Sequence, residues 1–377
     1  MNFLKVISGT AMLILLFSRC IEEFEPPSQD YGNFLVVEAF INKGNEQSDV
    51  RLSRSVPLDT SAWIPESGAR VSIREDTGEE HFLSETAAGI YQFPEGFNGQ
   101  SGISYQISII TSGSRQYESD FVTLRQTPDI DSVHWEYLEK PELGVEGLQI
   151  YLSTHDPENN TAYYRWYYDE TWIFRTPYDA TLIYENGQIR QRLENINTCW
   201  KNVSSTSIFL GNSTRLDQDV IDSYPLVYVD NTTERLADRY SINVKQYALS
   251  EVAYTYWDEL KDLNENLGTL FDPMPFSITG NIHNVNDRNE TVLGFFDAAE
   301  DKEKRIFISH LEIPAMNIFN PYTACNDTLV SYSSVGVMIS RGGYMLATVV
   351  GLSDYLLSTP TCIDCRYAGT NIRPDFW

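Results

Sequence analysis

An alternation of apolar and polar residues with a period of two, renewed many times, constrains this chain more than any other feature. Ala69, Val71 and Ile73 alternate with Arg70, Ser72 and Arg74, which gives a strand one face for a core and one for water. Tyr105, Ile107 and Ile109 repeat the pattern, as do Val50, Leu52 and Val56 at a longer interval. In Phe34–Ile41 both alternating sets are largely apolar. Gly-bearing turns such as Asp76-Thr77-Gly78 and Ser112-Gly113 separate these runs. Several short strands at this spacing indicate a β-sandwich over residues 33–126.

The pattern breaks at Gln126-Thr127-Pro128-Asp129, where a boundary is placed. A larger β-rich sandwich domain is expected over 127–377. Its most aromatic stretch is Tyr163-Tyr164-Arg165-Trp166-Tyr167-Tyr168-Asp169-Glu170-Thr171-Trp172-Ile173-Phe174. At period two, Tyr164, Trp166, Tyr168 and Trp172 share one face, and Arg165 and Asp169 share the other. Tyr and Trp faces stack on sugars and apolar ligands, so these four aromatics are the candidate ligand contacts. Aromatic strands are more often cross-strand packing in a sandwich core, and that reading stands ahead of ligand contact. Asn186-Gly187 is the strongest short hairpin signal in the chain. One amphipathic helix is expected near 251–266, capped by Ser250, with a stripe of Val252, Tyr256, Trp257, Leu260 and Leu263, and with Gly268 where the chain leaves it. Further strands are expected at 207–210, 240–247, 276–282, 292–296 and 305–309.

The first residues have a different character. Lys5 precedes an apolar run from Val6 to Phe17 that is too short to cross a bilayer, and the pattern is that of a secretory signal peptide. Phe17-Ser18-Arg19-Cys20 resembles a bacterial lipobox, with Arg19 departing from the usual small residue. Residues 1–19 are therefore expected to be a lipoprotein signal peptide, with Cys20 as the lipid attachment site. Residues 20–32 form an acidic, Pro-rich tether too polar to fold. Outside the cytoplasm thiols oxidise and structural disulfides persist. Four cysteines then remain: Cys199, Cys325, Cys362 and Cys365. Their even number suits two disulfides, and three pairings are open. A bridge inside Cys362-Ile363-Asp364-Cys365 would close a very small loop and constrain little, whereas bridges to Cys199 and Cys325 would pin the C-terminal tail to the domain. A four-cysteine zinc site and a redox pair are the alternatives.

Without residues 1–19 the chain loses Lys5 and Arg19 and no acid, leaving 25 basic residues against 53 acidic ones, a formal charge of −28. So acidic a surface argues against nucleic acid and against docking onto anionic lipid headgroups. The familiar catalytic signatures are missing: no G-x-S-x-G elbow, H-E-x-x-H helix, P-loop or G-x-G-x-x-G turn is present. Asp262-x-Asn264-x-Asn266 resembles a calcium loop only in part, since Gly268 falls one residue late. Neither catalytic residues, a metal nor a cofactor is expected.

The landmarks together resemble a known family. They are Leu35-Val36-Val37-Glu38-Ala39, Gly68-Ala69-Arg70-Val71 and Gly89-Ile90-Tyr91, then Asp156–Thr161 with Tyr164-Arg165-Trp166, then Tyr256-Trp257-Asp258-Glu259-Leu260. Gly280-Asn281-Ile282, Val292-Leu293-Gly294-Phe295-Phe296 and the closing Cys362-Ile363-Asp364-Cys365-Arg366 with Arg373-Pro374-Asp375-Phe376-Trp377 complete the set. This resembles the Bacteroidetes lipoproteins catalogued as domain of unknown function 4249, and the first unit is similar in style to immunoglobulin-like and transthyretin-like sandwiches. The resemblance implies a non-catalytic lipoprotein of the outer membrane, facing the cell exterior and held there by acyl chains on Cys20. It further implies an accessory role beside a TonB-dependent transporter. A surface adhesion or glycan-binding module is the second expectation, and a glycan-acting enzyme the third.

Overall fold

The computed structural model describes residues 33–43, 48–56, 63–266 and 278–377. It is mainly β, as the alternation predicts. The signal peptide, the tether with Cys20, and Gly268 lie outside the described residues.

The principal elements are β1 (Leu35–Lys43), β2 (Asp49–Arg54), β3 (Arg70–Glu75), β4 (Ser104–Ile110), β5 (Gln116–Ser119), β6 (Ile130–Lys140), β7 (Val145–His155), β8 (Tyr163–Arg175), β9 (Thr198–Ser204), β10 (Val220–Asp230), β11 (Arg239–Ala248), α1 (Glu251–Asn266), β12 (Val292–Ser309), β13 (Thr328–Ser331), α2 (Tyr332–Ser340), β14 (Met345–Val350) and β15 (Asp354–Ser358). A ten-stranded sheet runs β9-β8-β11-β12-β1-β2 and on through Ile90–Gln92 and Ser84–Ala87. β3, β4 and β5 belong to a second sheet, β6-β7-β10 form a third, and β13-β15-β14 form a small C-terminal one.

β12 joins the two expected units. Its first half pairs in parallel with β1, from Leu35↔Val292 to Lys43↔Glu300, and its second half pairs antiparallel with β11, from Tyr247↔Asp301 to Arg239↔Ser309. The sheet therefore continues past the boundary placed near residue 126. The core of the first unit is completed from far along the chain: Ile282, Val292, Phe296 and Ala298 pack with Leu35, Val37, Ile41, Ile73 and Ile107. Close backbone approach makes this possible at Gly294, whose φ is +106° and whose missing Cβ would stand 1.9 Å from the Val37 carbonyl oxygen.

Residues of one parity on the long sheet face the two cores. On β1 these are Leu35, Val37, Ala39 and Ile41; on β8 they are Tyr164, Trp166, Tyr168 and Trp172, which meet Leu148, Ile150, Leu152 and Val229 of the third sheet. The opposite parity lies on the back of the sheet, where α1 packs through Ala253, Tyr256 and Trp257 against Leu210, Leu249 and Phe295. Ser250 caps α1 by accepting from the Ala253 N–H at 3.0 Å. The predicted stripe holds at Tyr256, Trp257 and Leu260, and only its first member differs, since Val252 is exposed and Ala253 is fully buried. Asp262 and Asn264 lie within this helix, so neither belongs to a calcium-type loop. Asn186 and Gly187 adopt φ of 52° and 79° between Leu182–Glu185 and Gln188–Gln191, as a two-residue hairpin requires.

Candidate functional site

The back of the long sheet carries a cleft of about 960 Å³. Its floor comes from adjacent strands in register. Arg165 of β8 lies opposite Tyr247 of β11, and Tyr167 opposite Lys245. Beyond β11, Phe40 of β1 lies opposite Asp297 of β12, and Glu38 opposite Phe295. α1 supplies one wall with Tyr256, Trp257 and Leu260, and Asp49 and Arg51 of β2 stand on another side.

Two of the cleft's cations are matched by carboxylates. Lys245 pairs with Asp169 at 3.3 Å and Arg51 with Asp49 at 3.0 Å. Arg165 is different: its guanidinium carbon lies 3.3 Å from the Trp257 ring centroid and 4.3 Å from that of Tyr167, and no carboxylate pairs with it among the described residues. Among the described residues, the Arg165 Nε, the Asp297 Oδ2, the Trp257 Nε1 and both amide atoms of Asn42 are buried without a hydrogen-bond partner. All four residues line this cleft. Orphaned buried polar groups are rare in folded proteins, so their concentration here singles the cleft out as the candidate site.

The electrostatics agree. Burial raises the Asp297 carboxyl to about 7, against the opposing pull of the Ala298 N–H, Arg165 and Arg125. Burial also pulls the Arg165 guanidinium down to about 9, opposed chiefly by Asp297, which leaves it cationic at neutral pH. Desolvation shifts of this kind in a cleft make it a candidate functional site.

The aromatics predicted to touch a ligand do not form this surface. Tyr164 and Trp166 are fully buried, and Trp172 and Tyr168 nearly so, in the core shared with the third sheet. Two of their polar tips are satisfied there: the Tyr164 hydroxyl donates to Asp219, and Trp166 Nε1 donates to Gln246 Oε1 at 2.8 Å, whereas Trp172 Nε1 is buried without a partner among the described residues. The structure thus carries the packing alternative for these side chains, and only Tyr168 also borders the cleft. The residues that do line it are Arg165, Tyr167 and Asp169, the other face of the same strand. A lone arginine inside an aromatic run was the available signal. Asp297 gave none, because its neighbours across the sheet lie far away in sequence.

A known family accounts for most of the chain: its model matches residues 21–305, from before β1 into β12. The chain belongs to the DUF4249 family. That family is described as a domain of unknown function, and no curated protein matches the sequence. The DUF4249 match contains every residue of the cleft. It ends before β13, α2, β14 and β15, and before three of the four paired cysteines.

Those cysteines pair as Cys199–Cys365 and Cys325–Cys362, with Cα separations of 5.6 and 6.0 Å. Both links are long-range, and together they fasten the C-terminal tail of this DUF4249 chain to β9 and to the segment before β13. Elsewhere, Glu75, Glu79 and His81 bring potential ligand atoms within 4.8 Å of one another. Glu75 is already engaged there by the Thr77 hydroxyl and by His81.

Proposed function

We propose that this DUF4249 protein is a non-catalytic ligand-capture lipoprotein, anchored to the outer membrane by acyl chains on Cys20 and facing the cell exterior. Its partner in this reading is a TonB-dependent transporter, to which it delivers or presents a small molecule. The cleft behind the long sheet carries the proposal. Its volume of about 960 Å³ suits a small ligand, and it combines apolar walls with a few convergent polar groups, the usual composition of a binding site. The acidic chain keeps the body off anionic headgroups, while residues 20–32 supply a polar tether leading directly into β1.

The test has two arms. Metabolic labelling with a fatty acid should mark the wild-type protein and not Cys20→Ala. A tagged full-length protein, drawn from the native outer membrane in mild detergent, should bring down a stoichiometric barrel transporter identified by mass spectrometry. Recovery of the labelled protein without such a barrel removes the transport role, and an unlabelled wild type removes the anchor.

A further inference from the structure

Arg165 has surroundings that a purely structural arginine would not need. The chain holds 53 acidic residues against 27 basic ones, so carboxylates for a half-buried cation are plentiful. A partly desolvated charge without a carboxylate partner is unfavourable. Yet the neighbouring carboxylates Asp169 and Asp49 are taken by Lys245 and Arg51. Asp297 acts on Arg165 only through space, without forming an ion pair, and Glu38 stays exposed on β1.

The form of the site narrows what it can hold. The Trp257 and Tyr167 rings lie against the guanidinium, and its Nε has no partner among the described residues. What remains for a ligand is the hydrogen-bonding edge, whose parallel N–H groups match the two oxygens of a carboxylate. Beside that edge the walls are apolar: Tyr256 stacks on Phe295 at 4.8 Å, and Phe40 meets Tyr247 edge-on at 5.2 Å. Leu249, Leu260 and Leu293 extend them. The acids around the cleft oppose a doubly charged phosphate more than a single negative charge.

We propose that the cleft binds a small organic monocarboxylate with an apolar body, its carboxylate in the plane of Arg165 and its body against Tyr256, Trp257 and Phe295. This rests on the ligand-capture reading and specifies its ligand class.

The test uses the purified mature chain with phenylacetate, indole acetate and octanoate as probes, and phenylethanol, phenylethylamine and phenyl phosphate as comparisons, followed by saturation-transfer NMR and calorimetry. At least one carboxylate should bind about thirtyfold or more tightly than the alcohol, and Arg165→Met should remove that difference. Equal binding of acid and alcohol, tighter binding of amine or phosphate, or indifference to Arg165→Met overturns the assignment. Should Arg165→Met fail to fold, the acid–alcohol comparison on the wild type decides by itself. Probes that bind regardless of charge but are lost in Trp257→Ala leave ligand capture standing and remove the carboxylate. If no probe of any charge binds, both readings fall.

Discussion

Asn281 performs the work of a missing strand, and replacing it by alanine tests that role. The first half of β12 has β1 on one side, while β11 reaches only its second half. Arg125 bridges that open edge near Ala299, and Asn281 covers it at Phe296: its amide nitrogen donates to the Phe296 carbonyl at 2.8 Å, and its amide oxygen accepts the Phe296 N–H at 2.9 Å. Asn281 is 8% exposed and Phe296 fully buried, so water does not readily replace the lost bonds. Asn281→Ala orphans one N–H and one C=O, each costing about 1–3 kcal/mol, for a loss of about 2–6 kcal/mol. Urea unfolding should shift by that amount, and hydrogen exchange over 292–300 should lose protection first. Asn326→Ala, which removes one exposed bond to Tyr344, is the control and should change stability by less than about 0.5 kcal/mol. A loss below about 1 kcal/mol for Asn281→Ala, with exchange at Phe296 unaltered, would falsify the strand-substitute account.

Three further outcomes are expected. Non-reducing peptide mapping should recover Cys199 linked to Cys365 and Cys325 linked to Cys362. Replacing the first pair by alanine opens a loop of sequence separation 166 and should cost up to about 5 kcal/mol in the chain-entropy account. Asp297 is raised from 3.8 to about 7, so the folded state holds its proton more tightly than the unfolded one. The resulting stability is complete below the ordinary carboxylate range and is lost as pH rises toward 7, by about 4 kcal/mol at most; Asp297→Asn should flatten that slope in denaturation measured from pH 4 to pH 8. Finally, residues 33–126 expressed by themselves lack Val292, Phe296 and Ala298 and one neighbour of β1, so they should show no cooperative unfolding. A dispersed NMR spectrum with a sharp melt would contradict this.

Short-range patterns carried well from sequence to fold. The alternation in β3 buries Val71 and Ile73, and Asn186-Gly187 and Ser250 act where local chemistry places them. Longer-range facts were hidden. Strands expected at 292–296 and 305–309 are the two ends of one strand, because Glu300-Asp301-Lys302-Glu303-Lys304 interrupts the apolar signal. Cross-strand neighbours and ion pairs hold that middle in place, Lys302 with Glu300 at 3.2 Å among them. Within the expected strand at 276–282, only Ile282 belongs to a described strand, Ile282–Asn284, and 276–277 lie outside the described residues. In β8 both the period and the core face were legible, since the aromatic set Tyr164, Trp166, Tyr168 and Trp172 packs inward as such strands more often do. The cleft on the other face was not, because the residues of β1, β12 and α1 that complete it lie far from Arg165 in sequence.

The parallel pairing of β1 with β12 also has a mechanical consequence. A pull on the chain ahead of Asn33 enters the fold along β1, which is held on one edge by β2 and on the other by β12. The load lies along the strand, so the ladders on both edges must shear together and cannot unzip one bond at a time. Resistance to forced unfolding follows the rate of that concerted rupture rather than equilibrium stability. The body should therefore stay folded under tension that would peel away a terminal edge strand.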